Sequence, residues 1–310
     1  MATETQSQPS HATLLVRYIE VWQVDETGQQ LTLIANRCID NPDATPVAEK
    51  TVVGPGEGIA GRAWNQKSAT VLQEEPSELI ASLSQQAGTD LAGVVAIPTF
   101  DRTEIRGVVV LGLGTGHGAI EAWSRDERDE LSLSSSWYGG LPGFEFISRY
   151  VRFPKGAGIP GEVWKTRRPQ LAREPGRNPR FVRSFENDPA HLTTAVGIPV
   201  GSDSGFASSV LLLLPSSAVP LANDFELWAT RSGRNEDESI TPILETVQTA
   251  AGLFDKSSND WRIRIAEQVA RTAAPQLITD TKLLPDPARV CLAVPTYHDG
   301  ELIAVWTLIF

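Results

Sequence analysis

The chain has 310 residues, 41% of them hydrophobic and 21% charged, with a net charge of −11 and two cysteines. That charge argues against a nucleic-acid binder, which needs a basic footprint on phosphates, and against an anionic membrane surface. Cys38 and Cys291 stand far apart and outside any C-x-x-C, which excludes a disulfide framework or a cysteine zinc site and makes a reducing cytoplasm the expected location. The length accommodates two or three domains of ~100–200 residues each.

Residues 1–13 are polar and read as a disordered tail, with no basic segment leading into an apolar core, so no signal peptide is expected. "YIEVWQVDETGQQLTLIA" from Tyr18 then reads as two strands around a Thr27-Gly28 turn. "GPGEGIAGRAW" follows from Gly54 and starts a short helix, with Ile59 and Ala63 one turn apart on one face. An extended piece, "ATVLQ", leads through an acidic and polar segment to a closing hairpin, "IPTFDRTEIRGVVVLGL". The longest apolar runs, such as Val210 to Leu214, are strand-sized and too short to cross a bilayer.

This order of elements occurs three times. "GEGIAGRAW" recurs as "GAGIPGEVW", with Ile159 and Trp164 each one hundred residues after Ile59 and Trp64. A degenerate third copy, "RIRIAEQVARTAAPQL", keeps Ile265 and Val269 on one helical face but replaces every glycine. Each unit opens on a Glu-x-Trp triplet, at Glu20, Glu121 and Glu226, and the Trp precedes the motif Ile by 37, 36 and 37 residues. Each closes on an apolar-Pro step, at Pro98, Pro199 and Pro295, before an apolar run. A fixed period of this kind marks a repeated structural unit. The expected fold is α+β: three tandem units, each an antiparallel sheet with short helices on one face, over residues 14–115, 116–218 and 219–310.

The spacing of Gly56, Gly58 and Gly61 also fits the G-x-G-x-x-G turn of dinucleotide-binding proteins, with Glu74 or Glu174 at a suitable distance for a ribose. Against that reading stand the antiparallel hairpins, the bulky Trp64 and Trp164 behind the motif, and a third copy without glycines. The alternative is a tight turn with glycine at positive φ leading into a helix.

The succession of a strand hairpin, G-x-G-I-x-G-x-x-W at a helix start, an extended edge, a variable segment and "IPT" or "IPV" into a hairpin resembles the GAF domain. The resemblance covers residues 14 to 310 and is clearest in the second unit. It implies a six-stranded antiparallel sheet (the GAF/PAS-like architecture) with a ligand pocket closed by the variable segment. It also implies a sensory or regulatory role exercised through a protein partner or a homodimer. Only six to ten residues join one unit to the next, so signal relay through long connecting helices is not expected, and no output domain is recognisable. The apolar end, "LIAVWTLIF", reads as a fragment boundary or as a chain finishing flush with its last sheet.

Chemistry-bearing clusters are scarce. His11, His117, His191 and His298 lie in unrelated contexts, with no metal-ligand spacing and no G-x-S-x-G elbow, so no catalysis, metal or cofactor is expected. Neither cysteine lies in a variable segment, where the family resemblance would put a catalytic or chromophore-bearing one. The candidate ligand-binding residues are Arg180, Phe181, Arg183, Phe185 and His191 in the second unit's variable segment. Guanidinium forks beside aromatic faces suit a small planar or anionic ligand. The competing reading anchors Phe181 and Phe185 in the core and leaves the arginines solvated or paired with nearby carboxylates. The function expected is non-catalytic small-molecule sensing, with a non-sensing dimerisation scaffold as the alternative. A redox or nucleotide-dependent enzyme built on Cys38 or the glycine turn is the third reading.

Overall fold

Strand β1 (Val16–Val24) and strand β2 (Leu31–Cys38) form the first hairpin. The Asp25 carboxylate ties the turn by accepting hydrogen bonds from the Gln29 and Gln30 amides and the Thr27 hydroxyl. The chain continues through β3 (Val52–Val53), helix α1 (Gly58–Gln66), β4 (Thr70–Gln73), α2 (Glu78–Ala87), β5 (Gly93–Asp101) and β6 (Glu104–Leu113). A second series runs β7 (Gly118–Arg125), β8 (Leu131–Gly139), α3 (Pro142–Ser148), β9 (Arg152–Phe153), α4 (Gly158–Thr166), β10 (Gln170–Arg173), β11 (Thr194–Val200) and β12 (Ser209–Pro215). The third comprises β13 (Asp224–Ala229), β14 (Ile243–Val247), α5 (Asp260–Thr272), β15 (Gln276–Ile278), β16 (Cys291–His298) and β17 (Glu301–Ile309). This computed structural model describes residues 14–41, 51–73, 78–101, 104–177, 181, 183, 192–201, 209–229, 243–247, 260–298 and 300–310.

The strands assemble into three sheets, ordered β3-β2-β1-β6-β5-β4, β9-β8-β7-β12-β11-β10 and β14-β13-β17-β16-β15. In each, the opening strand pairs with the closing strand, so the hairpins at the two ends of a series lie side by side. Among the described residues the third sheet repeats the order of the other two and shows no edge strand after its opening hairpin. Every strand pair among the described residues is antiparallel, the opposite of a dinucleotide-binding βαβ succession.

The glycine motif is structural in its backbone. Gly56 and Gly58 sit at φ of 85° and 58°, and Gly156 and Gly158 at 88° and 61°, in the region L-residues avoid. Gly61 and Gly161 lie so close to the preceding loop that an added Cβ would meet the Gly54 or Pro154 carbonyl oxygen at 2.3 Å. In the third series the helix starts earlier and runs 13 residues rather than 9. Arg262 occupies the position equivalent to Gly56, and Trp164, three residues past the last glycine of its motif, is buried.

Helices pack on one face of each sheet, as expected. Ile159 and Val163 of α4 join Trp123 and Leu212, and Ile265 and Val269 of α5 join Trp228 and Val305. The opposite faces are not left to solvent. Ile19, Ile97 and Val109, Ile198 and Leu211, and Leu227, Val294 and Trp306 belong to one apolar cluster shared by all three sheets. Sheets buried on both faces read as unbroken apolar runs, which is why Val210–Leu214 shows no alternation. The three apolar-Pro steps converge there, and Pro98, Pro199 and Pro295 line one void of about 20 Å³. Backbone polar groups also cross between sheets, with the Trp137 indole donating to Ala92 O at 3.1 Å and the Val71 amide to Ser135 Oγ at 3.0 Å. Among the described residues no helix is long and apolar enough to cross a membrane.

Candidate ligand site

The Glu of each opening triplet projects from β1, β7 or β13 toward the helix-covered face, two residues before a Trp on the same side. All three carboxylates are buried: Glu20 is 2% exposed, and Glu121 and Glu226 are 0% exposed. A carboxylate removed from water needs compensating partners, and the three units supply them differently.

In the second unit Arg183 lies outside any helix and is 2% exposed. Its Nη1 donates to Glu121 Oε1 and to Ser148 Oγ, both at 2.6 Å, at the end of α3. Tyr138 and Trp123 donate to the same carboxylate at 2.6 and 3.1 Å. The Arg183 guanidinium carbon is 4.6 Å from the Phe144 ring centroid, 5.1 Å from Trp123, 5.5 Å from Phe181 and 5.6 Å from Phe153. Phe181 stacks on Phe144 with centroids 5.9 Å apart.

In the third unit the cation comes from α5. Arg262 pairs with Glu226 and lies 3.7 Å from Asp224, while Thr307 donates to Glu226 from the adjacent β17 at 3.4 Å. Burial outweighs the attraction of Arg262 and holds the Glu226 carboxyl up at about 7.

The first unit differs. Glu20 accepts a hydrogen bond from Trp22 Nε1 at 2.8 Å, and no cation pairs with it among the described residues. Burial raises its carboxyl above the usual range, opposed by the hydrogen bond from Trp22. Instead of an arginine, a cavity of about 130 Å³ lies against it, bounded by Trp22 and Leu33, by Glu57 to Ala60 at the start of α1, and by Leu79, Ser82, Leu83 and Gln86 of α2. Among the described residues its lining has two carboxylates, Glu20 and Glu57, and no basic side chain. Ser82, Gln86 and Glu57 are exposed, so the cavity reaches the surface.

Of the residues read from the sequence, Phe181 and Arg183 come together inside the second unit, and Arg180, Phe185 and His191 lie outside the described residues. The aromatic faces and guanidinium expected to meet a ligand meet each other, with Glu121 as the anion. Arg177 pairs with Glu174 at 2.7 Å on the surface. The residues that sequence reasoning passed over are the three glutamates, used there only as landmarks. Their signal was available: an acid recurring at one register of an apolar strand, on the Trp face. The cysteines are both buried, Cys38 at the end of β2 and Cys291 at the start of β16, where burial raises the Cys291 thiol far above its usual range. Among the described residues no group of three or more His, Cys, Asp or Glu could hold a metal ion.

Solved structures give the comparison. Over about a third of its length the chain is similar to GAF-domain structures. One is the GAF domain of an Acinetobacter phosphoenolpyruvate-protein phosphotransferase, at 18% identity, 31% of this chain, 55% of that chain and a TM-score of 0.23. A second is fRMsr of Staphylococcus aureus in complex with substrate, at 15% identity, 32% of this chain, 56% of that one and a TM-score of 0.25. A third is a Staphylococcus aureus NreA mutated in its nitrate-binding site, at 16% identity, 34% of this chain, 79% of that one and a TM-score of 0.26. The chain spans about half the length of the first two of these. No protein-family model and no curated protein matches the sequence.

Proposed function

We propose that the chain is a non-catalytic regulatory protein of three GAF-like units, residues 14–115, 116–218 and 219–310, that binds a small molecule in the first unit and relays occupancy to a protein partner. The cavity against Glu20 carries this reading. It is a surface-connected space beside a buried carboxylate, bounded by the glycine-started helix and by α2 of the variable segment. The second and third units are structural in this scheme, because Arg183 and Arg262 already fill the equivalent places. That filling also favours the second reading, a non-sensing scaffold, for the two later units.

The test is a thermal-shift screen of the full chain against small cations, carboxylates and neutral polar molecules, repeated with Leu83→Trp. A ligand at 100 times its Kd raises stability by about 2.7 kcal/mol. The expected result is a shift in the parent chain that the tryptophan, placed in the cavity wall, abolishes. A shift unchanged by Leu83→Trp would overturn the assignment of the site, and no shift from any compound would favour the scaffold.

A further inference from the structure

The three units present one position in three states. Glu20, Glu121 and Glu226 occupy the same register, each on the opening strand between its hairpin partner and the closing strand. Glu20 faces Asn36 and Val110, Glu121 faces Ser136 and Leu212, and Glu226 faces Thr246 and Thr307 across the ladders. In two of the three units the same chemical group lies against that carboxylate. It is a guanidinium, buried and close to an aromatic ring: Arg183 with Trp123 in one, Arg262 with Trp261 in the other. The two arginines come from unrelated places, one from the variable segment and one from the start of the helix. The position therefore selects the group, whichever element delivers it. The physical reason is that a carboxylate stripped of water is stabilised by a planar cation that donates to it and lays its weakly hydrated face on aromatic carbon.

The first unit has the carboxylate and the tryptophan, but no arginine among its described residues lies against them. The position of Arg262 is held by Gly56, and α2 lines the space with Leu79, Ser82, Leu83 and Gln86. The cavity of about 130 Å³ stands where the guanidinium stands in its sister units, and among the described residues its lining contains acids and no base. A dry cavity of ~150 Å³ accommodates a benzene ring, so this space holds a guanidinium head with a short alkyl stem.

We propose that the first unit binds a small organic cation of the guanidinium type, its head on Glu20 and Trp22 in the place that Arg183 and Arg262 take in the second and third units. This rests on the ligand-site reading above and names the chemistry of that site. The aliphatic stem runs along Leu33 and Leu83 toward the opening at Ser82 and Gln86. The internal arginines are in effect permanently tethered copies of the ligand.

The experiment is calorimetric titration of the full chain with propylguanidinium, its neutral isostere propylurea, and butyrate. Propylguanidinium is expected to bind and the other two are not. Glu20→Gln, checked by circular dichroism for an unchanged fold, is expected to weaken propylguanidinium by about tenfold or more, as for loss of a charge-assisted hydrogen bond. Should that variant fail to fold, Leu83→Trp keeps Glu20 in place and is expected to block binding by occupying the cavity. Equal binding to the parent and to either folded variant would overturn the proposal, since the cation would then be associating elsewhere on an acidic surface. Binding of propylurea or butyrate without propylguanidinium would overturn the cation chemistry and leave the ligand site standing. If none of the three binds the parent chain, the guanidinium assignment falls, and the ligand-site reading falls with it only if the broader thermal-shift screen is also negative.

Discussion

At the scale of the residue, one side-chain type, a buried glutamate, has opposite consequences depending on its partner. Removing one member of a buried ion pair leaves an uncompensated charge and costs about 3–5 kcal/mol. Glu121→Gln is therefore expected to lower stability by that amount, because Arg183 would keep its charge inside four aromatic rings. Glu20→Gln is expected to be neutral or stabilising at pH 8 in the absence of ligand, because it removes a carboxylate that no described cation balances. Urea denaturation of the two variants at pH 8 checks the contrast, and equal losses would contradict it. The pH dependence has a defined sign. Glu226 is held up at about 7 against an ordinary value of 4.5, so the native chain keeps a proton that the unfolded chain releases. Its contribution is fully present below pH 4.5 and is lost as pH rises through 7. The urea midpoint of the parent is expected to fall relative to that of Glu226→Gln over this window, and parallel curves would show that Glu226 is not the group responsible. The glutamates were legible as letters but not as a site, because an acidic residue in a strand is usually solvated; only the second layer above each sheet decides that these are not.

At the scale of the element, the glycine motif was readable in full. Its competing meaning, a dinucleotide turn, depended on the strands around it, and those pair antiparallel throughout. The motif works through two positive-φ positions and one close approach. Gly61→Ala and Gly161→Ala are each expected to cost about 1–3 kcal/mol, since the added methyl group meets a backbone carbonyl rather than a movable side chain. Equilibrium unfolding of either variant measures this, and a cost below half a kilocalorie per mole would mean that the loop moves aside. The helix of the third unit escapes the constraint by starting earlier, which places Arg262 where the glycine stood. Less legible was α3, whose Ser148 helps hold Arg183 in place. Nothing in "LPGFEFISRY" has a counterpart in the other two copies, so self-comparison could not reveal it.

At the scale of the whole molecule, the apolar faces turned away from the helices meet in one cluster, and Pro98, Pro199 and Pro295 line one small space between the three sheets. A single unit taken alone would expose that face. Residues 116–218 expressed by themselves are accordingly expected to aggregate or to bind a hydrophobic dye strongly, as molten states do. The intact chain is expected to unfold in one transition, seen coincidently by tryptophan fluorescence and far-ultraviolet dichroism. A well-folded, monomeric isolated unit would show that the sheets are independent. The same packing bears on partners, because the sheet faces available for dimerisation in a lone unit are already occupied within this chain.

Periodicity, landmarks and turn residues set the three repeated series and the α+β order of elements from sequence alone, since these depend on neighbours a few residues apart. Which strands lie beside one another across sheets, and which cation reaches which carboxylate, depend on contacts spanning tens of residues: Arg183 and Glu121 are 62 positions apart, Arg262 and Glu226 36. Two arginines from different elements converge on equivalent acids, and a third acid is left beside a cavity. No local pattern encodes that outcome. It follows from the low polarity of a packed interior, where each buried charge must be answered by whatever group the tertiary fold brings within reach.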